Sequence, residues 1–199
     1  MAHSPSGAES PIIEAPDLTD DAGRALLAMA RAALRQVLGR HAEAALAGGA
    51  LPLTRRGAFV TLRVGEELRG CLGRVAADRA LADLIPELAV AAAREDPRFP
   101  PVRAEELDRI SIEISVVSAP RPVPHPPEAI EIGRDGLIVE RGRARGLLLP
   151  QVAPEQGWGA LAFLEATCEK AGLSPGAWRE PETRVFAFAA DVFKEQELR

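Results

Sequence analysis

The octapeptide EELRGCLG at residues 66–73 is the stretch around which we organise this chain. A β-strand alternates its side chains with a period of two, which here puts Arg69, Cys71 and Gly73 on one face and the two leucines with Gly70 on the other. A guanidinium two residues from a thiol on the same face favours the thiolate by charge attraction. The stretch therefore predicts a candidate site at Cys71, with Arg69 as its neighbouring cation.

Length and composition bound what the rest of the chain can be. The 199 residues fit one large domain or two small, closely packed ones, and they can bury a stable core without disulfide bonds. Only 4% of the residues are aromatic and the formal net charge is -5, which argues against a general binder of nucleic acids. Arg141, Arg143 and Arg145 could still form a local basic patch, although a solvated strand edge explains them as simply.

Cysteine and histidine usage sets the expected compartment and argues against a metal cage. The two cysteines are far apart, and none of the three histidines is spaced with a cysteine as zinc ligands usually are. The sequence indicates no metal and no cofactor. No apolar run reaches the roughly 18 residues of a membrane span, and no stretch resembles a secretory signal. A reducing, cytoplasmic setting without membrane contact is the default expectation.

The N-terminal half predicts helices beside a hairpin. Residues 1–16 are rich in Ser, Pro, Gly and Ala and predict a mobile arm. Thr19 or Asp20 should cap a long helix that ends near Gly48-Gly49, and residues 57–64 should pair with 67–73 through a tight turn. Asp78 should cap a second helix, which stops at Asp96-Pro97. Pro86 inside it predicts either a kink or a short preceding turn after which the helix restarts.

The C-terminal half predicts antiparallel strands and one further helix. Residues 108–117 alternate, with isoleucines facing a core and Glu113 facing the other way. A proline-rich connector follows at 119–127. Short turns then predict strands at 129–132, 137–140 and 144–149, a helix at 158–172 with Leu161, Leu164 and Cys168 on its buried stripe, and a closing strand at 183–193. The expected fold class is α+β, a mainly antiparallel sheet with flanking helices in two intimately packed lobes.

Four polar residues outside the octapeptide are candidates for the same site. Asp96 and Arg98 stand in a stiff, proline-rich loop that can hold them in fixed places. Glu113 in mid-strand is either solvated or a site residue on a covered face. Gln151 stands where Pro150 breaks a strand.

Five separated motifs carry a resemblance to a known family. They are LRGCLG at 68–73, DPRFPP at 96–101, IEIS at 112–115, GLLLPQVA at 146–153 and CEKAGL at 168–173. Together, in this order, they resemble the AMMECR domain family, whose prokaryotic members are called AmmeMemoRadiSam system protein A. The resemblance runs from about Gly23 to Phe193, and it suggests one AMMECR-type domain over residues 17–195.

The resemblance implies an α+β fold with a larger and a smaller lobe, in which the octapeptide strand lies near the cleft between them. It also implies a pathway shared with a Memo-type protein and a radical S-adenosylmethionine (SAM) enzyme, and a core likened to folds that bind nucleotides, nucleic acids or peptides. The matched polar positions are Arg69, Cys71, Asp96, Arg98, Glu113 and Gln151. Two positions depart from the family pattern: Asp135 stands where many members have His, and Gly159 stands where Asp is usual.

Three functions are compatible with these residues. In the first, Cys71 is a thiolate nucleophile, Arg69 and Arg98 lower its pKa, and Glu113 or Asp96 handles protons. Against this, no His is placed as a base, Arg69 could be locked by Glu113 in a structural ion pair, and Cys71 could simply pack between glycines. In the second, the cleft is a non-catalytic binding or adaptor module for a peptide, a nucleotide or a partner protein. In the third, which ranks last, Cys71 and Cys168 bind a metal or take part in redox chemistry. The reaction, the ligand and the oligomeric state are not readable from the residues.

Overall fold

The computed structural model describes residues 18–39 and 54–197, which form two four-stranded antiparallel sheets with helices. The helices are α1 (Asp20–Val37), α2 (Leu81–Arg94), α3 (Val152–Gln156) and α4 (Ala160–Lys170), with 3-10 turns at Ala104–Glu106 and Pro175–Arg179. The strands are β1 (Gly57–Val64), β2 (Glu67–Arg74), β3 (Ile110–Val117), β4 (Arg121–Pro122), β5 (Gly136–Arg141), β6 (Ala144–Leu148), β7 (Arg184–Phe188) and β8 (Ala190–Lys194). The α+β prediction is confirmed. The predicted arm at 1–16 and the predicted helix end near Gly48-Gly49 lie outside the described residues.

The first lobe is the sheet β2-β1-β3-β8 with α1 and α2 packed on one face. Alternate side chains of β1 and β3, including Leu62, Ile112 and Ile114, face the helices and are buried to 1% exposure or less. Helix α1 begins as predicted, because the Thr19 hydroxyl accepts a hydrogen bond from the Ala22 N–H. The opposite face of the same sheet is left for the second lobe and for solvent.

Two features of α2, one at its start and one near its end, bear on the sequence pattern. The prediction that Asp78 caps α2 is wrong: the cap is Ala80, and the Asp78 carboxylate is paired with Arg74 instead. Gly70 of β2 lies directly against the helix backbone, since a Cβ there would stand 2.2 Å from the Ala92 carbonyl oxygen. A glycine is therefore required where β2 crosses α2.

The second lobe is the sheet β4-β7-β5-β6, with α4 packed on the face that carries Leu137, Val139 and Val185. Residues 129–132, predicted as a strand, form turns in the structure. The predicted helix at 158–172 is shorter and is preceded by the separate short helix α3. Leu161 was expected on the buried stripe of this helix, but it is 44% exposed and Phe163 is buried instead.

The chain crosses between the two sheets at two adjacent points. Residues 183–193, predicted as one strand, are two strands in different sheets: β7 ends at Phe188 and β8 begins at Ala190. At the crossing, the Ser118 N–H donates to the Ala189 carbonyl at 2.9 Å and the Ala189 N–H donates to the Ser118 hydroxyl at 3.0 Å. Val117, Ile138 and Phe188 form a small buried cluster that joins the lobes.

Two further expectations concern the chain as a whole. The assignment of residues 17–195 to a single domain stays a prediction. None of the helices within 18–39 and 54–197 combines the length and the apolar character that crossing a membrane requires.

Candidate functional site

A row of polar side chains runs across the first sheet on the face turned away from α1 and α2. Residues directly opposite one another in a sheet share a face. Cys71 of β2 is opposite Thr61 of β1, Thr61 is opposite Glu113 of β3, and Glu113 is opposite Lys194 of β8. We call these four residues, Cys71, Thr61, Glu113 and Lys194, the polar row.

Cys71 is half-buried, and its thiol is held in the neutral form. The Thr61 hydroxyl donates a hydrogen bond to Sγ at 3.3 Å. Burial raises the pKa of Cys71, and this effect outweighs the lowering by the Thr61 hydrogen bond and by the charge of Arg98. The expectation that nearby arginines hold Cys71 as a thiolate is therefore wrong, because desolvation of the thiolate dominates.

Arg69 does not reach the thiol, because its guanidinium is engaged elsewhere. Its Nε and Nη2 donate to the two carboxylate oxygens of Glu106 at 2.7 and 3.2 Å, and Nη1 donates to the Pro100 carbonyl at 3.0 Å. An irregularity in β1–β2 pairing is the cause: Leu62 is opposite Gly70 but Arg63 is opposite Leu68, so Arg69 has no opposite residue. The strict period of two breaks there, as at a β-bulge. The proposed structural pair of Arg69 with Glu113 is also wrong, since Glu106 is the partner.

Asp96 and Arg98 form hydrogen bonds with the backbone of Cys71. Strand β2 lies at the edge of its sheet, which exposes its outward N–H and C=O groups. The Cys71 N–H donates to Asp96 Oδ2 at 2.8 Å, and Arg98 Nη2 donates to the Cys71 carbonyl at 3.3 Å. The two side chains are themselves paired at 2.7 Å. They thus take the place of a neighbouring strand at this point of the edge.

The Asp96 carboxyl is held in the charged form by these contacts. The Arg98 guanidinium, together with the Cys71 and Arg98 N–H groups, holds the pKa of Asp96 well below its usual range. Its side chain is only 3% exposed, whereas that of Arg98 is 47% exposed. Asp96 is therefore an acceptor fixed in place, which does not suit it to exchange protons near neutral pH.

Gln151, which precedes α3, links the second lobe to the polar row. Its amide Nε2 donates to Glu113 Oε1 at 2.9 Å and to the Ser115 hydroxyl at 3.2 Å. The other atom of the amide, Oε1, is buried without a hydrogen-bond partner. Glu113 is only 7% exposed. Gln151 and Glu113 therefore meet at the boundary between the lobes.

A groove of about 350 Å³ opens beside this boundary, with Glu113 in its lining. Sequence reasoning missed Arg63, Glu155 and Lys194, which also line it. Arg63 follows Thr61 by two residues and could have been found from the alternation of β1. Lys194 and Glu155 could not, because their positions depend on pairing between strands and lobes distant in sequence. The full lining is Arg63, Gly65, Glu66, Ser111, Ile112, Glu113, Glu155, Lys194, Glu195, Gln196 and Glu197.

The second cysteine plays no part in this arrangement. Both cysteines are free, and Cys168 is completely buried in the core of the second lobe, where the sequence predicted a small core hydrophobe. In the part of the chain that the structure describes, no group of three or more His, Cys, Asp or Glu side chains is placed to hold a metal ion.

The two departures from the family pattern lie outside the polar row. Asp135 is 1% exposed and accepts hydrogen bonds from Arg121, Arg134 and the Glu131 N–H. Burial raises its pKa, but these hydrogen bonds lower it further, so that the net shift is downward. Asp135 therefore organises a turn of the second lobe. Gly159 is the N-cap of α4 and offers no side chain to the helix.

Comparisons with known proteins agree with the fold described above. The family model for AMMECR1 matches residues 27–193. A relative from Methanothermobacter thermautotrophicus is 50% identical over 186 residues, covering 89% of this chain and 96% of that protein. Another from Methanosarcina barkeri is 43% identical and covers 90% and 93%. The crystal structure of an uncharacterised protein from Pyrococcus horikoshii is similar with a TM-score of 0.82 and 39% identity, over 90% of this chain and 94% of that one.

Proposed function

The chain belongs to the AMMECR1 family, and from this premise we propose that it is a non-catalytic binding component of a pathway that includes a Memo-type protein and a radical SAM enzyme. Its binding surface is the polar row together with the groove beside it. The partners follow from the family resemblance of the five sequence motifs. The role as a binding surface rests on the geometry.

The observation that carries this proposal is a set of hydrogen-bonded polar groups beside an open groove, which Glu113 and Lys194 line. Thr61 is hydrogen-bonded to Cys71, and Gln151 is hydrogen-bonded to Glu113, so these side chains have fixed positions before any ligand binds. The second lobe covers the apolar part of the sheet face and leaves an open groove at Glu113. Fixed polar groups in a concave surface favour binding, because little order has to be imposed on association.

The surroundings of Cys71 favour binding over nucleophilic catalysis. A nucleophilic cysteine needs a lowered pKa or an adjacent base. Burial raises the pKa of Cys71, and the Thr61 hydroxyl, which forms a hydrogen bond with Sγ, acts there as a donor and not as a base. Arg69, the cation expected beside it, is bound by Glu106.

Association between purified proteins tests the proposal. The Memo-type protein and the radical SAM enzyme of the same organism would each be titrated against this chain by biolayer interferometry. Ser111→Arg places a bulky cation in the groove lining, and we expect it to weaken association with at least one partner by about tenfold or more. Ala162→Arg makes the same charge change on the exposed surface of α4 and serves as the matched control, with an expected change below about twofold.

Two results would contradict the proposal. One is the absence of association between the wild-type chain and either protein. The other is equal weakening by Ser111→Arg and Ala162→Arg, because a surface that responds to any added charge is not a specific site. Thermal unfolding of both variants checks that each remains folded.

A further inference from the structure

Glu113 is a buried carboxylate without a cationic partner. Its side chain lies in mid-strand at 7% exposure, and it accepts a hydrogen bond from the neutral amide of Gln151. Among the described residues, no Lys, Arg or His lies within ion-pair distance of it. A carboxylate removed from water is costly unless it is paired, and an amide donor compensates only part of that cost.

The cations of the groove are already committed to other carboxylates. Lys194 stands opposite Glu113 across β3 and β8, but its ammonium is paired with Glu197 at 3.1 Å. Arg63 lies 3.9 Å from Glu155 and also donates to the Glu66 carbonyl. These cations therefore attract Glu113 only from a distance.

The groove as a whole carries an excess of negative charge. Five glutamates and two cations line it, and one of the glutamates, Glu195, is paired with Arg31 from outside the lining. After all these pairs are formed, Glu113 at the floor and Glu66 at the rim are the lining carboxylates without an ion pair in the described structure. The floor charge is the buried one, so it gains most from a cation.

A second unmet group lies in the same hydrogen-bonded unit. Gln151 gives its N–H groups to Glu113 and Ser115, while its carbonyl oxygen is buried and accepts no hydrogen bond. Buried acceptors are normally satisfied in folded proteins, and an unsatisfied one calls for an explanation. Glu113 lines the groove and Gln151 does not, so the acceptor that this unit presents to the groove is the Glu113 carboxylate.

We propose that the groove binds a ligand through a positively charged nitrogen group, an ammonium or a guanidinium, which pairs with Glu113. This inference deepens the proposed function, on which it rests, by naming the chemical class that the same site recognises. A cation in the groove compensates the buried Glu113 carboxylate and donates N–H groups to it. A volume of about 350 Å³ is at the small end of ligand sites and suits one such group with a short aliphatic stem.

This chemistry can come from a free amine or from a Lys or Arg side chain of another protein, and the experiment separates the two. Isothermal titration calorimetry would measure agmatine, N-acetyl-arginine amide and a hexapeptide with one central Arg. N-acetyl-citrulline amide, which has nearly the same shape without the charge, is the matched control ligand. Tighter binding of the peptide than of agmatine indicates a protein side chain, and the reverse order indicates a free amine.

The matched variants are Glu113→Gln and Glu66→Gln, which remove one charge at the floor and at the rim of the groove without a large change in volume. We expect Glu113→Gln to weaken arginine-amide binding by about tenfold or more, or about 1.4 kcal/mol, and Glu66→Gln by less than about threefold. A salt titration of the wild-type chain needs no variant, and its expected result is weaker binding as salt rises.

The proposal is overturned if no cationic probe binds at up to about 10 mM, or if the citrulline and arginine amides bind equally. It is also overturned if Glu113→Gln binds like the wild type. These failures are distinct from that of the proposed function. If Ser111→Arg loses partner association but no cationic probe binds to the wild type, the proposed binding function stands and only the ligand class is refuted. If a cationic probe binds to the wild type but neither partner protein does, the pathway role is refuted.

Discussion

The face of the first sheet that is turned away from α1 and α2 has two halves, an apolar one and a polar one, formed by the same strands. In one half, Phe59 of β1 and Val117 of β3 pack against Ile138 and Phe188 of the second lobe. In the other half, two residues further along β1, Thr61 belongs to the polar row, and the second lobe contributes the polar side chain of Gln151 instead of apolar ones. The change takes two residues, which is one period of a strand. The comparison suggests that the apolar half holds the lobes together and that the polar half is kept for recognition.

The strongest test of this comparison is to remove a large buried side chain from the apolar half. Phe188 is 1% exposed, and its ring lies where a Cβ on Gly136 would come within 2.4 Å. Phe188→Ala should lower the free energy of unfolding by about 3–5 kcal/mol, because the ring leaves a cavity between the sheets. Urea denaturation followed by circular dichroism measures the change.

Leu161→Ala is the matched control, because Leu161 is a large apolar side chain that is 44% exposed. It should cost less than about 1 kcal/mol. Equal losses for the two variants would contradict the view that Phe188 holds the lobes together.

The edge of the polar half should respond to pH. Since the pKa of Asp96 is lowered in the folded chain, its charged form contributes stability that is complete above the unfolded pKa of about 3.9 and is lost as pH falls toward the lower folded value. Asp96→Asn should cost about 1–3 kcal/mol at pH 7 and flatten the decline in stability below about pH 5.

Urea denaturation at several pH values measures both effects. Asp78→Asn is the control, because the Asp78 side chain is 55% exposed in its pair with Arg74 and should cost less than about 1 kcal/mol. A decline with acid in Asp96→Asn as steep as in the wild type would show that other carboxyls are responsible.

Local patterns were sufficient for much of the fold. The alternation of 57–64 and 110–117, the cap at Thr19 and the turn at Gly65-Glu66 are determined by neighbours in sequence, and the structure has each of them. The same alternation correctly put Glu113 on the face opposite the isoleucines. The five motifs also identified the family, because their order and separation are specific where each alone is short.

What the sequence did not predict depends on contacts between distant residues. The irregular pairing at Arg69 changes the direction of a side chain without any mark in the strand pattern, and its partner Glu106 is 37 residues away. The break at Ala189 divides one continuous alternation between two sheets, because the chain crosses there. The hydrogen bonds of Asp96 and Arg98 with the Cys71 backbone could be predicted only if β2 were known to lie at the edge of its sheet.

The smallest expected effect lies at the centre of the polar half. Thr61→Val removes the hydroxyl that donates to Cys71 Sγ and keeps a β-branched side chain of similar size in a strand. If the polar half contributes little to stability, the free energy of unfolding should fall by less than about 1 kcal/mol. The same urea denaturation measures this change.

The reactivity of Cys71 completes the comparison, because it separates a binding surface from a nucleophilic one. Iodoacetamide labelling at pH 7, followed by mass spectrometry of the Cys71 peptide, should be slower in the wild type than for free cysteine, since burial raises the pKa of the thiol and limits access. Thr61→Val should slow it further or leave it unchanged, because the hydrogen bond from Thr61 lowers that pKa. Cys71→Ser identifies the labelled peptide. If the wild type is labelled faster than free cysteine, the polar half presents an activated thiol. The polar half would then serve nucleophilic chemistry as well as recognition.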